Sequence, residues 1–328
     1  MITLDKLRLW KYYFFDLPLL SAGIKTPSFQ TLRQGILAAE LARTSEGYRT
    51  LCRYLDRPFT EAGAEECVKK SLGVKLIRES DAFTSLRMGP RTIKKYFRME
   101  GIENLNTVKA TGKPVILLTG HIGSFFIPAI AFSSAGYTVY PVARSVDRSP
   151  ATPLSTQFYL TLNYRLSGKR FPGKYLFTDF SGKIDRDIIT ILKSSGILWT
   201  AIDMPRPLYA HKRLPVTLFG RPSSLPSGII QWGLKRNAVF LTSWNTVEIS
   251  DNGNYYRLLS VDPPISTEPT VESILQAYAD RLTKQIAKHP WQWMGLQIIS
   301  QYDESEGTRN AGKTDRIHIY FSLVPILL

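Results

Sequence analysis

Residues that hold disulfide-rich or metal-bound proteins together are scarce in this chain. There are two cysteines, Cys52 and Cys67, and four histidines among 328 residues. A disulfide framework or a structural zinc site needs more ligands at closer spacing, and no histidine pair has the spacing of an HExxH zinc motif. We therefore expect no disulfide framework and no metal. We interpret both cysteines as ordinary core or surface residues in a reducing compartment.

Motifs for bound nucleotides are missing as well. Neither GxxxxGKS/T nor a GxGxxG after a strand occurs, and the SGK phrase at Ser181–Lys183 lacks the spacing of a phosphate-binding loop. No phrase typical of an RNA-recognition domain is present. We therefore expect no cofactor and no nucleic-acid partner.

Apolar runs long enough to cross a bilayer, which takes about 20 residues, are also lacking. The aromatic stretch Leu7–Leu20 is interrupted by Lys11 and Asp16, and no secretory signal pattern is evident. The aromatic stretch predicts a helix with one apolar face. Such a face suits either the protein core or a membrane surface with anionic lipid. The apolar tail Ile317–Leu328 leaves the same two alternatives open.

Acidic residues are outnumbered, with 27 Asp and Glu against 42 Lys and Arg, so the formal net charge is +15. This excess attracts anionic partners, and nucleic acid, an anionic membrane surface or an acidic acyl carrier protein would each fit. It also serves plain solubility. With 44% hydrophobic and 21% charged residues, the composition is that of an ordinary globular protein.

Short apolar runs alternate with amphipathic stretches, which is typical of βαβ units and a mostly parallel central sheet flanked by helices. We expect a helical N-terminal region over residues 1–98, an α/β domain over 99–300, and a polar linker with an apolar tail over 301–328. The predicted strands are Pro114–Thr119, Thr138–Ala143, Gly196–Ile202, Ala238–Trp244 and Tyr255–Val261. The predicted helices are Ser28–Ala42, Thr60–Leu72, Arg91–Met99, Ile127–Ala135, Asp185–Lys193, Ser227–Lys235 and Val271–Lys288.

His121 is the main candidate for a catalytic side chain. It directly follows the predicted strand Pro114–Thr119, in the phrase TGHIGSFF. Ligands of open α/β sheets bind beyond the carboxyl ends of strands, and Gly120 and Gly123 allow close approach of a ligand or a second backbone. The same position also suits a loop histidine that makes a structural hydrogen bond.

Five phrases, in order over roughly residues 90–300, carry a family resemblance. They are Met99–Phe126, Tyr140–Pro150, Ile202–Pro207, Leu214–Gly228 and His289–Leu296. Together they resemble the late lipid A biosynthesis acyltransferases of the lysophospholipid acyltransferase superfamily. LPVTLFGRPSSLPSG is the most specific phrase, being closely similar to the family's V-x-F-F-G-x-P-A-x-T-P-x-G. The resemblance implies an α/β fold like that of glycerol-3-phosphate acyltransferase.

The resemblance also implies a reaction, in which His121 is the general base of an acyl transfer. The base takes a proton from an acceptor hydroxyl or amine, which attacks a thioester carbonyl directly. The implied donor is an acyl carrier protein thioester or acyl-CoA, and the acceptor is a lipid, a saccharolipid or a pathway intermediate. We expect the protein in the cytoplasm, peripheral to the inner face of the cell membrane, with its anionic surface as a partner.

One departure from the family pattern concerns the carboxylate that orients the histidine. The family has His, four residues, then Asp or Glu, whereas Phe126 occupies that position here. We expect Asp203, which follows a neighbouring strand, to substitute for it, with Asp147 as the second candidate. Two other interpretations remain, in which His121 works unassisted, or the chain is a catalytically degenerate acyl- or lipid-binding protein of the same fold.

Five further residues are candidates for substrate binding. The guanidinium of Arg144, in the loop matched to the family, is suited to binding phosphate or carboxylate in a fork geometry. Arg206 and Arg221 fall in family-like phrases, although a surface ion pair would explain either of them nearly as well. Ser124 and Phe126 are expected beside His121, with Phe126 lining an acyl or acceptor pocket.

Overall fold

The computed structural model describes residue 18 and residues 42–89, 91–145, 154–178, 183–206, 212–249 and 255–305. The tail Ile317–Leu328 and the rest of the aromatic stretch Leu7–Leu20 lie outside these ranges. Among the helices within them, none is both long enough and apolar enough to cross a membrane.

A central sheet organises the chain, as the sequence predicts. Its seven strands are β1 (Phe97–Glu100), β2 (Val115–Thr119), β3 (Val139–Arg144), β4 (Leu176–Thr178), β5 (Ile197–Ala201), β8 (Val239–Ile249) and β9 (Tyr255–Val261). They lie in the order β1–β9–β8–β2–β5–β3–β4. Every pair is parallel except β8 with β9, which confirms the mostly parallel α/β class.

Helices cover the sheet, and a helical stretch over residues 42–54 precedes them. Short 3₁₀-helical segments occur at Ile93–Lys95, Pro290–Gln292 and Met294–Tyr302. The main helices are α1 (Glu61–Arg87), α2 (Ile102–Ala110), α3 (Pro128–Ser134), α4 (Leu154–Gly168), α5 (Lys183–Lys193), α6 (Gly228–Leu234) and α7 (Val271–Lys288).

The central strand β2 explains where the core lies. All five of its residues are buried, and because side chains alternate along a strand, they divide between two faces. Ile116 and Leu118 belong to the cluster that α7 covers, together with Leu282. Leu117 belongs to the opposite cluster, with Phe132 of α3. Each fully buried aliphatic side chain contributes about 1.5–3 kcal/mol, so β2 is anchored from both sides.

A β-hairpin that the pattern did not predict carries the most family-like phrase. β6 (Arg213–Leu218) and β7 (Arg221–Pro226) pair antiparallel. They are joined by Phe219 and Gly220, whose φ angles are +55° and +73°. Two successive positive φ angles are typical of the tight turn that suits a twisted hairpin. The prolines at both ends of the phrase hid its strand character.

The N-terminal helical prediction needs one correction. Thr60 caps α1 as expected, since its hydroxyl accepts from the Gly63 N–H at 3.1 Å, although α1 runs on to Arg87. The predicted helix Arg91–Met99 is wrong, because only Ile93–Lys95 is helical, as a short 3₁₀ segment, and the last three residues belong to β1. The partner strand decides the outcome: β1 forms a parallel ladder with β9, and that ladder overrides a weak local helix preference.

Candidate active site

Two neighbouring strand ends meet at His121 and Asp203. β2 and β5 are parallel partners, so the segments that follow them leave the same edge of the sheet side by side. Each residue is the second after its strand. His121 Nδ1 lies 2.6 Å from Asp203 Oδ1, and the His121 backbone N–H donates to Asp203 Oδ2 at 2.8 Å.

The Asp203 carboxylate is held from further directions. Trp293 Nε1 donates to its Oδ2 at 3.0 Å, and the Tyr302 hydroxyl donates to its backbone carbonyl at 2.6 Å. Gly120 lets the two strand ends approach this closely. A Cβ atom at Gly120 would lie 3.0 Å from Asp203 Oδ2 and 2.9 Å from Leu282 Cδ1. The carboxylate is therefore a fixed part of the site, with 1% of its residue surface exposed.

The electrostatics favour an ionised Asp203. Burial alone would raise its pKa, but the interaction with His121 and the hydrogen bonds from His121 and Trp293 outweigh burial and leave the pKa below its ordinary value. The His121 side chain is 21% exposed. Because Nδ1 faces Asp203, Nε2 is the nitrogen left for a substrate, and no described residue hydrogen-bonds to it. A carboxylate–imidazole pair of this kind suits a general base.

Four consecutive backbone amides of the loop after β2 are engaged inside the protein. An acyl-transfer oxyanion needs donors that are free to point at it, so these amides hold the loop still, and any oxyanion donors are other groups. The His121 amide donates to Asp203 Oδ2 at 2.8 Å, and the Ile122 amide donates to the Gly120 carbonyl at 2.8 Å. The Gly123 amide donates to the Gln292 carbonyl at 2.9 Å, and the Ser124 amide donates to the Asn245 carbonyl at 3.3 Å.

Phe126, at the family's carboxylate position, packs in a hydrophobic core cluster. Its side chain is 3% exposed and lies between Tyr159 and Tyr164, with ring centroids 5.6 and 5.8 Å away. The neighbouring Phe125 packs on His121 instead, with centroids 5.1 Å apart and the rings nearly perpendicular. The expectation that Phe126 lines a substrate pocket stays a prediction, and its described contacts are those of a core residue.

Ser124 is fully buried. Its hydroxyl donates to Asp81 Oδ2 and accepts from Arg257 Nε at 3.0 Å. Both capacities of the hydroxyl are therefore used within the protein, and substrate contact by Ser124 stays a prediction.

The two downstream arginines are on the surface. Arg206 donates to Glu304 Oε1 at 3.0 Å, which matches the surface ion pair that the sequence left open. Arg221 is exposed, with its guanidinium carbon 5.2 Å from the centre of the Tyr54 ring. Substrate binding by either residue stays a prediction.

The structure describes Arg144 only in part and Asp147 not at all. Arg144 is the last residue of β3, and its backbone lies in register with Thr178 of β4. Asp147, the second candidate partner of His121, lies outside the described residues. Arg144 thus occupies a strand end at the same sheet edge as His121, and its proposed anion contact remains a prediction.

Sequence reasoning missed several residues around the site. Trp293 lies in the phrase HPWQWMGL, so the family phrase was a usable signal for it. Arg78, in the middle of α1, places its guanidinium carbon 5.6 Å from the centre of the Phe125 ring, and that ring contacts His121. Nothing in the sequence distinguishes Arg78 from the many other basic residues.

The cysteines and metal ligands offer no rival chemistry in the described part of the chain. Cys52 and Cys67 are both free and buried. Burial, as the larger cause, and the electrostatic interaction with the neighbouring Cys52 raise the pKa of the Cys67 thiol to about 12. A thiol with so high a pKa stays protonated and is a poor nucleophile. No group of three or more His, Cys, Asp or Glu side chains in the described ranges is arranged to hold a metal ion.

Comparison with known proteins supplies the family. A search of curated proteins found no match. The model of the family described as bacterial lipid A biosynthesis acyltransferase matches residues 5–298. This match spans most of the chain and includes both strand ends that meet at the site. The chain therefore belongs to the bacterial lipid A biosynthesis acyltransferase family.

Proposed function

We propose that the protein transfers an acyl group from a thioester to a hydroxyl or amine, with His121 as the general base and Asp203 as its orienting carboxylate. The observation that carries this proposal is the 2.6 Å contact between His121 Nδ1 and a buried Asp203 Oδ1. It supports a charged partner for the imidazole although Phe126 stands where the family motif has a carboxylate. Family membership supports acyl transfer as the general activity.

The reaction proceeds by direct transfer. An acceptor O–H or N–H gives its proton to His121 Nε2 while the acceptor oxygen or nitrogen attacks the thioester carbonyl carbon. The tetrahedral intermediate collapses as the C–S bond breaks, and the imidazolium returns the proton to the departing sulfur. The products are the acylated acceptor and the free thiol, and no acyl-enzyme forms. Asp203 holds the Nδ1–H tautomer and stabilises the imidazolium.

The donor we favour is the thioester of an acyl carrier protein, with acyl-CoA as the alternative. A net charge of +15 suits an acidic carrier. The acceptor is a lipid, a saccharolipid or a related pathway intermediate. The same charge and the aromatic stretch Leu7–Leu20 support a cytoplasmic protein that binds the inner face of the cell membrane peripherally.

His121→Ala tests the reaction. A positioned base contributes about a hundred- to ten-thousand-fold in rate, so we expect the variant to lose acyl transfer from an acyl carrier protein thioester by at least about a hundredfold. Product formation is followed by mass spectrometry in single turnover, with the melting temperature as the check on folding. Asp262→Asn is the control variant, because Asp262 also accepts from an indole, Trp244 Nε1 at 2.7 Å, and does not contact His121.

The competing function is binding without turnover. It predicts that wild-type protein retains the acyl thioester without consuming it, and that His121→Ala changes nothing in the assay. Unimpaired transfer by His121→Ala would contradict the proposed mechanism and leave the family assignment intact.

A further inference from the structure

A buried ion pair lies against the loop that carries His121. Arg257 Nη2 donates to Asp81 Oδ1 at 2.5 Å, and neither side chain has any exposed surface. The Ser124 hydroxyl lies between them: it donates to Asp81 Oδ2 and accepts from Arg257 Nε at 3.0 Å. The three residues come from α1, the loop after β2, and β9, so the cluster joins three distant parts of the chain at one point.

The backbone of Ser124 is tied down at the same place. Its N–H donates to the Asn245 carbonyl at 3.3 Å, and the Asn245 side-chain amide donates back to the Ser124 carbonyl. Gly123, the preceding residue, donates to the Gln292 carbonyl at 2.9 Å. The loop is therefore held at Ser124 by side chain and backbone together, three residues beyond His121.

Stability alone is a weak explanation for this cluster. Removing two charges from water costs several kcal/mol for each ion, so a buried pair contributes little or nothing to stability compared with apolar packing. Arg257 also keeps Nη1 buried without a hydrogen-bond partner, which adds a further penalty. What the pair provides is a rigid, directional attachment for one loop hydroxyl.

Asp203 and the ion pair hold the loop at opposite ends. Asp203 fixes the imidazole of His121 and its backbone N–H, whereas the ion pair fixes Ser124. Phe126, two residues further on, is embedded among aromatic rings and supplies no charge to the site. Without the Ser124 hydroxyl, the loop keeps its backbone hydrogen bonds and the buried Ile122 side chain, but it loses its side-chain hydrogen bonds to α1 and β9.

We infer that Asp81, Ser124 and Arg257 are positioning residues, which hold the loop so that His121 Nε2 meets the acceptor at the geometry for proton transfer. This inference rests on the proposed acyl transfer and names a function for three buried side chains whose described contacts lie within the protein. A misplacement of about 1 Å can reduce an enzymatic rate about a hundredfold, so a rigid attachment close to the base has a direct effect on turnover.

Ser124→Ala tests the inference, because it removes the attachment and leaves the ion pair. We expect kcat to fall at least about tenfold while KM changes less than about twofold, since only the reacting geometry is lost. Ser85→Ala is the matched control. Ser85 is also fully buried, and its hydroxyl bonds to the Ala82 carbonyl of its own helix at 2.6 Å, so we expect a similar loss of melting temperature with wild-type kcat.

Arg257→Lys provides a second, independent variant. Lysine keeps the positive charge but lacks the fork that reaches Asp81 and Ser124 at once. We expect the same selective loss of kcat as in Ser124→Ala. Wild-type kcat in either variant would overturn the inference, provided that its melting temperature shows a folded protein. If one variant does not fold, the kcat of the other variant is the test.

A failure of the positioning inference can be distinguished from a failure of the proposed function. If acyl transfer itself is wrong, no protein in the set forms product, and His121→Ala behaves like the wild type. If only the positioning inference is wrong, the wild type is active and His121→Ala is inactive, while Ser124→Ala has the same kcat as Ser85→Ala.

Discussion

At the scale of single residues, the candidate site depends on where the carboxylate oxygen beside His121 lies and not on which loop supplies that carboxylate. The family motif places a carboxylate on the histidine's own loop, whereas here Asp203 reaches Nδ1 from 82 positions along the chain. A carboxylate at hydrogen-bonding distance orients the imidazole and stabilises the imidazolium in the same way, whichever loop supplies it. In the proposed mechanism, Asp203 therefore supplies the charge that Phe126 lacks.

Phe126→Glu separates a core role from a hidden catalytic one. Since Phe126 is buried between Tyr159 and Tyr164, an unpaired carboxylate there should destabilise the protein by about 3 kcal/mol or more. Phe126→Leu, which keeps an apolar side chain, should cost less. Urea unfolding of both variants gives the comparison. A Glu variant as stable as the Leu variant, with raised activity, would show that position 126 still faces His121.

At the scale of secondary-structure elements, the sequence predicted what burial and periodicity encode. The apolar run that became β2 and the amphipathic stretch that became α7 keep nearly the predicted bounds, because both have strong local patterns. β1, β4, α4 and the β6–β7 hairpin were missed. Phe97–Glu100 is a strand only because β9 offers it a partner, and prolines mask the alternation in the hairpin.

The site was predictable to the extent that topology fixes it. His121 and Asp203 were both candidates because each follows a core strand, and the adjacency of β2 and β5 brings them together. The pairing of Asp81 with Arg257 spans 176 positions. It depends on where α1 lies relative to β9, which no local pattern reveals. Trp293 lies within a family-like phrase, but only the fold brings its indole to Asp203.

At the scale of the whole molecule, charge is the dominant property. The formal net charge of +15 creates a field that attracts anionic surfaces and acidic proteins from a distance. Such attraction raises encounter rates and is sensitive to ionic strength, in contrast to the buried contacts at Asp203. We therefore expect the field to affect how partners arrive, and the proposed mechanism assigns the chemistry to the strand ends.

Vesicle flotation tests the proposed membrane contact. We expect binding to vesicles with anionic lipid and weaker binding to neutral ones. Binding should fall as salt rises, because exposed charges are screened beyond about 10 Å at 0.1 M. Negligible binding to both vesicle types would contradict peripheral association. Binding that persists at high salt would remove its electrostatic part and favour apolar insertion.

The most direct test of the central claim compares Asp203→Asn with Asp262→Asn. Both changes remove a carboxylate that accepts from a tryptophan Nε1, but only Asp203 contacts His121. Single-turnover transfer from an acyl carrier protein thioester is the measured quantity. If Asp203 replaces the motif carboxylate, Asp203→Asn slows transfer at least about a hundredfold, and Asp262→Asn stays within about threefold of the wild type. Equal rates in the two folded variants would contradict the account.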